Sequence, residues 1–228
     1  MSCTASDVHA ALQRAFTEHA NVERAVGAAA YMRDQFRFFG IDAPTRRRLI
    51  REVRHTLGLP SSVLDLADLC WADAEREMQY AACDVLAQPA VLRRLTPVNV
   101  PHLQRLVTTK SWWDTVDVLA PTIIGGILRP FPDLVRAHAR AWIESDNIWL
   151  QRTAILVQLK YRDQTDFDLL TECILRRASS TEFFVRKGAG WALRQYAYTA
   201  PDLVRAFLDE HRQALSGLTL REASKHLR

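Results

Sequence analysis

The chain has 228 residues, of which 48% are hydrophobic and 25% charged, which supplies one sizeable core or two small ones and excludes a disordered segment. Eight Gly and nine Pro argue against a turn-rich β-sandwich, and a net charge of +4 permits a nucleic-acid partner without requiring one. Four cysteines with no CxxC pair and seven histidines with no HxxxH pair point to neither a zinc site nor a disulfide framework, so no metal or cofactor is expected.

In chain order, almost every segment has helical period. Residues Met1 to Phe16 carry Asp7 and lack an apolar centre, so they do not resemble a signal peptide. Val8, Leu12, Ala15 and Phe16 follow the i, i+4, i+7, i+8 pattern of a helix face. After Gly40, Pro44 falls where a first-turn proline opens a helix, with Arg46, Arg47 and Arg48 behind it. Leu49, Val53 and Leu57 form the next face, then Leu64, Ala67 and Trp71. Breaks recur at Pro60, Pro89, Pro97 to Pro101, Pro130, Ser179 to Thr181 and Pro201. The longest uncharged apolar run, Val118 to Leu128, is too short to span a bilayer and contains Pro121. The expectation is an all-α chain of about a dozen helices, forming one domain over residues 1–228 of a soluble, cytoplasmic, monomeric protein.

A repeat is visible within this pattern. Asp84-Val85-Leu86-Ala87 recurs as Asp117-Val118-Leu119-Ala120, 33 residues on. Looser echoes follow at Ala154-Ile155-Leu156 and Trp191-Ala192-Leu193, each 37 residues further along. Such intervals fit one helix pair plus its turns, predicting an α-solenoid whose second helices line a concave surface.

Three stretches can carry chemistry. In Lys110-Ser111-Trp112-Trp113-Asp114, Ser111 and Asp114 resemble a capping box. Asp117 lies a turn further in and shares a face with Trp113, four residues before it. An indole beside a carboxylate suits a cationic target; alternatively Trp113 is core and Asp117 pairs with Arg152. Arg152 precedes a largely apolar run, where its planar fork suits a carboxylate or a phosphate. Lys187 and Trp191 again share a face, and Gly188 and Gly190 lie between them, as close approach of another helix or of a ligand would require.

Tyr31-Met32-Arg33, Phe39-Gly40-Ile41, Lys110 to Asp117, Trp149-Leu150-Gln151-Arg152 and Lys187-Gly188 with Gly190-Trp191-Ala192-Leu193-Arg194 together resemble the AlkD-type DNA alkylation-repair glycosylases, from about Tyr31 to the closing Leu220 to His226 segment. The resemblance implies HEAT-like helical repeats with a concave basic groove and hydrolytic excision of purines alkylated at N3 or N7 in duplex DNA, without base flipping. It implies that Asp117 is the catalytic carboxylate and that Trp113 and Trp191 flank the lesion's deoxyribose. Arg152 then holds the DNA backbone near Asp117, Tyr31 lies near the lesion, and Lys187, Gly188 and Gly190 run along the phosphates. Two alternatives remain at this point: a self-resistance glycosylase for bulky natural-product purine adducts, and a non-catalytic HEAT-repeat adaptor.

Overall fold

The computed structural model describes residues 3–227 and divides into two compact units, one up to Arg94 and one from Leu95 onward. The chain is helical, as its periodicity predicts; among the described residues the only β-type pairing is an isolated bridge between Arg37 and Glu75. No described helix is long and apolar enough to cross a membrane.

The first unit contains α1 (Ala5–Glu18), α2 (Val22–Tyr31), α3 (Ala43–Leu57), α4 (Val63–Ala72), α5 (Arg76–Leu86) and the short α6 (Pro89–Leu92). Each of the first four begins on a side chain that accepts an otherwise orphaned N–H: Thr4 from Asp7, Asn21 from Arg24, Asp42 from Thr45 and Ser62 from Asp65. Val8, Leu12 and Phe16 of α1 are buried, as are Leu49, Ala67 and Trp71. The loop leading into α3 is pinned by the buried Glu77 on α5, whose carboxylate accepts the N–H groups of Phe39, Gly40 and Ile41 at 2.8 to 3.1 Å.

The second unit runs through α7 (Val100–Thr108), α8 (Trp113–Val118), α9 (Gly125–Leu128), α10 (Pro132–Ile143), α11 (Ile148–Leu156), α12 (Phe167–Arg176), α13 (Phe183–Tyr196), α14 (Pro201–Glu210) and α15 (Gly217–Ala223). Helices α8, α11, α13 and α15 lie side by side, each packed on the next, while α10 packs on both α11 and α12. That is the stacked-hairpin arrangement of a solenoid, and the helices carrying Asp117, Ile155 and Trp191 are successive members of one layer. Asn147 caps α11 by accepting from the N–H groups of Trp149 and Leu150. Every residue from Trp149 to Leu156 is buried, making α11 the centre of the unit.

Two local departures shape α8. The expected Ser111–Asp114 capping box does not form: Ser111 donates instead to the carbonyl of Val107, and Asp114 accepts from the N–H of Thr115 within the first turn. Lys110 adopts the left-handed conformation (φ 49°), and the helix begins only at Trp113. Downstream, Pro121 lacks the N–H that would donate to the carbonyl of Asp117, four residues before it. The helix widens into a π-turn over Leu119–Ile124, in which the N–H of Gly125 donates to the carbonyl of Ala120, and then resumes as α9.

Candidate active site

Asp117 is on α8, two residues before the π-turn begins at Leu119. Arg152, on the neighbouring α11, donates from Nε to Oδ1 at 2.8 Å and from Nη2 to Oδ2 at 2.9 Å, the parallel two-bond geometry that a guanidinium makes with a carboxylate. Its remaining nitrogen, Nη1, donates to the backbone carbonyl of Phe184 on α13. One guanidinium therefore ties α8, α11 and α13 together. It also stands 5.9 Å from the centroid of the Trp191 ring, within cation–π range. The Arg152 side chain is 4% exposed and that of Asp117 19%. The cation is sealed in, while the carboxylate keeps an accessible edge. Burial pushes the Asp117 carboxyl above its ordinary value of 3.8; the Arg152 hydrogen bonds and charge pull it down, and the nearby Asp114 pushes it further up.

The opposite side of α13 carries a second charge cluster. Glu222 of α15 has a 7% exposed side chain and receives three cations: Lys187 at 2.6 Å, Lys225 at 2.8 Å and Arg194 at 2.8 Å. Burial alone would raise this carboxyl, but the hydrogen bonds and charges of Lys187 and Lys225 hold it down to about 2.

The two glycines of α13 face these two neighbours. A Cβ on Gly188 would lie 3.0 Å from Nη1 of Arg152. A Cβ on Gly190 would lie 2.5 Å from Cβ of Glu222 and 2.8 Å from the carbonyl oxygen of Thr219. The missing side chain at 188 makes room for a guanidinium, and the one at 190 makes room for a helix.

The structure thus brings Asp117, Arg152, Gly188 and Trp191 together, and groups Lys187 and Gly190 around Glu222. Trp113 is half-buried on α8, one turn before Asp117, and Trp191 is half-buried on α13. Tyr31 ends α2 in the first unit and is 72% exposed. Arg152 was expected against the DNA backbone; Nε, Nη1 and Nη2 all point into the protein. Sequence reasoning missed Glu222 and an aromatic cluster beside the site, in which Trp112, Trp149 and Phe184 meet at tilted and edge-on angles with centroids 4.9 to 5.7 Å apart. Pairwise spacing carries the only sequence signal for Glu222: Lys225 follows it by three residues, and Lys187 and Arg194 share one helix.

A stack of helical hairpins, one layer of which holds a carboxylate, a guanidinium and indoles, defines an α-helical repeat protein with a polar site in its second unit. A family model described as DNA alkylation repair enzyme matches residues 12–227, and the chain belongs to that family. The solved structure of a protein described as a predicted DNA alkylation repair enzyme from Enterococcus faecalis superposes with a TM-score of 0.82 at 32% identity, over 91% of this chain and 96% of that one. No curated protein matches the chain.

Proposed function

We propose that this chain is a monofunctional DNA glycosylase that hydrolyses the N-glycosidic bond of purines alkylated at N3 or N7 in duplex DNA, leaving an abasic site. The observation that carries this reading is the Asp117 carboxylate, held by both oxygens on Arg152 yet with an accessible edge. Ordinary glycoside cleavage needs an acid for the leaving group as well as a carboxylate for the sugar. A purine alkylated at N3 or N7 is already cationic. When its bond to C1′ breaks, the electron pair leaves with the base and neutralises it, so no proton has to be supplied. Only the positive charge growing on the sugar needs an anion.

At an effective dielectric near 20, a unit charge about 4 Å from the carboxylate is worth about 4 kcal/mol, or roughly a thousandfold in rate. Water then adds to C1′ and loses a proton, which the carboxylate accepts. Trp113 and Trp191 offer ring faces to the sugar, each worth on the order of 0.5 to 2 kcal/mol. Arg152 holds the carboxylate's orientation and adds positive potential where the backbone approaches. Lys187 faces the flanking phosphates, while Gly188 and Gly190, buried against Arg152 and α15, set how closely α13 approaches its neighbours there; Tyr31 meets the duplex near the lesion. Both units act together as one DNA-binding domain, monomeric and cytoplasmic. A cationic base that leaves without being protonated needs no group of the protein to contact it in this scheme, so excision proceeds with the base still stacked, without flipping.

The test is incubation with duplex DNA containing N7-methylguanine, followed by heat and alkali to reveal abasic sites. The native chain is expected to release the base, and Asp117→Asn to bind the same duplex while releasing it about a thousandfold more slowly. Release at the native rate by the Asn variant removes the mechanism.

A further inference from the structure

The π-turn that follows α8 is held by the segment that follows α11. Gly125, the first residue after the π-turn, lies so close to this segment that a Cβ there would stand 2.2 Å from the carbonyl oxygen of Val157. The Gly125 carbonyl accepts a 2.7 Å hydrogen bond from the hydroxyl of Tyr161. Lys160 donates to the hydroxyl of Thr122, within the π-turn, also at 2.7 Å. Tyr161 is 4% exposed, and the guanidinium of Arg129 lies 5.7 Å from its ring centroid. Burial pushes the Tyr161 phenol upward, so it stays a neutral donor.

Two points on the stretch from α8 to α9 therefore face the same neighbour. Asp117 meets Arg152 of α11, and eight residues later Gly125 meets Val157, just past the end of α11. In an unbroken α-helix, residues eight apart stand about 80° apart around the axis, so the two could not both face α11 squarely. A π-turn takes in one residue more than an α-turn. What remains is a heptad, which falls only about 20° short of two full turns. The π-turn thus brings Asp117 and Gly125 onto one face. Pro121 favours it by having no N–H for the α-helical bond to the Asp117 carbonyl. Gly125 permits it by leaving room for the Val157 carbonyl. The rotation fixed in this way matters at the carboxylate: a turn of α8 by about 10° moves a group about 5.5 Å from the axis by about 1 Å.

We propose that Tyr161 is a positioning residue for Asp117: by holding the Gly125 carbonyl at the opposite end of the π-turn, it fixes the rotation of α8, and with it the angle at which the carboxylate meets Arg152 and presents its accessible edge. The Tyr161 hydroxyl bonds a backbone carbonyl eight residues from Asp117, so it acts through the helix and not on the substrate. Trp113, one turn before Asp117 on the same face, is carried by the same rotation. This rests on the reading of Asp117 as the carboxylate that stabilises the sugar cation.

The experiment uses the full chain and Tyr161→Phe, which removes the hydroxyl and keeps the ring. Two quantities are read. One is single-turnover release of base from an N7-methylguanine duplex at saturating protein. The other is the titration of the Asp117 carboxyl by carbon-13 NMR, its signal assigned by its loss in Asp117→Asn. Release is expected to fall about tenfold, short of the roughly hundredfold that a full 1 Å misplacement costs. Affinity for an undamaged duplex is expected to stay within about twofold of native, as an effect on the chemical step alone requires. The Asp117 carboxyl is expected to titrate at higher pH, because the Arg152 bonds that hold it down are weakened. Added to Asp117→Asn, Tyr161→Phe is expected to cost less than about twofold more, since a residue that acts only through Asp117 has nothing left to position. Cys173→Ala, at a buried position on α12, controls for lost stability; it is expected to keep native release per folded molecule and native titration of Asp117. Release at the native rate by Tyr161→Phe, an unchanged Asp117 titration, a further loss of about tenfold in the Asn background, or the same changes in Cys173→Ala overturns the proposal. If the native chain releases no alkylated base, the glycosylase reading falls, and the Asp117 titration in Tyr161→Phe alone decides the positioning.

Discussion

Two carboxylates lie on opposite sides of α13, and they titrate in opposite directions. Both are largely withdrawn from water, with side-chain exposures of 19% for Asp117 and 7% for Glu222. Burial pushes both upward. The number of cations decides the outcome. Asp117 has one guanidinium and the nearby negative charge of Asp114, and its carboxyl ends above the ordinary value. Glu222 has Lys187, Lys225 and Arg194, and ends at about 2. The first arrangement leaves a carboxylate with an exposed edge and unspent affinity for a further positive charge. The second leaves a saturated anion that joins α15 to α13 and carries two surplus positive charges. One is suited to chemistry on a cation, the other to fixing a helix and facing phosphate.

The sharpest way to break this contrast is to neutralise each carboxylate in turn. Asp117→Asn is expected to lose about a thousandfold in base release, as derived above. Its stability cost is expected to be only about 1 kcal/mol, because the amide oxygen still accepts one bond from Arg152. Glu222→Gln is expected to behave in the reverse sense. It leaves three cations sharing one amide oxygen in a buried position, which costs about 3 kcal/mol and lowers the melting temperature by roughly 6 to 12 °C in a chain of this size. Base release per folded molecule should stay within a few-fold of native. Thermal melts beside single-turnover release separate the two; equal losses of activity and stability in both variants would mean that the two carboxylates are merely two structural ion pairs.

The sequence disclosed the fold more fully than the site. Apolar residues at helical spacing and a first-turn proline such as Pro44 are local signals, so the helices of both units were legible, as was the repeat from Asp117 to Ala154 to Trp191. Local chemistry misled at α8. Ser111 and Asp114 have capping-box spacing, but the left-handed backbone at Lys110 moves the helix start to Trp113. At the site, spacing nominated Asp117 and Arg152 and held open that they pair, which they do. Glu222 was out of reach because its partners lie 35 and 28 residues away on α13. Gly188 and Gly190 looked equivalent in sequence. Only packing reveals that one clears a guanidinium and the other a helix.

That difference gives a sharper probe of the Asp117 side alone. Gly188→Ala places a methyl carbon 3.0 Å from Nη1 of Arg152, so the guanidinium must shift by a few tenths of an ångström. It is fixed by Asp117 at 2.8 and 2.9 Å and by the Phe184 carbonyl, and the shift lengthens one or more of those bonds. Base release is expected to fall about tenfold, equivalent to one weakened charged hydrogen bond. Stability should change little, because alanine is favoured over glycine within a helix by up to about 1 kcal/mol, which offsets the crowding. A variant with native release and lowered stability would place the importance of Gly188 in packing and not in the orientation of Arg152.

The smallest expected effect is on the acid limb of activity, where the two carboxylates predict opposite signs. Asp117 must be ionised to stabilise the sugar cation. Its raised carboxyl places the acid limb of base release above the ordinary value of 3.8. A group raised on folding favours the folded state below its unfolded pKa and loses that contribution as pH rises through the folded value, so titration of Asp117 does not unfold the chain in acid. Glu222 is lowered on folding; its contribution is present above about 4.5 and is lost as pH falls toward about 2. On acidification, base release should therefore fall along a limb centred above 3.8, while the Glu222-dependent loss of stability runs from 4.5 down toward about 2. In Glu222→Gln the lower step should flatten and the activity limb should stay in place. Gly188→Ala should move the activity limb upward, because a displaced Arg152 no longer offsets the burial of Asp117. An activity limb that coincides with the stability loss in the native chain would mean that acid acts on folding alone, and that the Asp117 carboxylate is not the titrating group in catalysis.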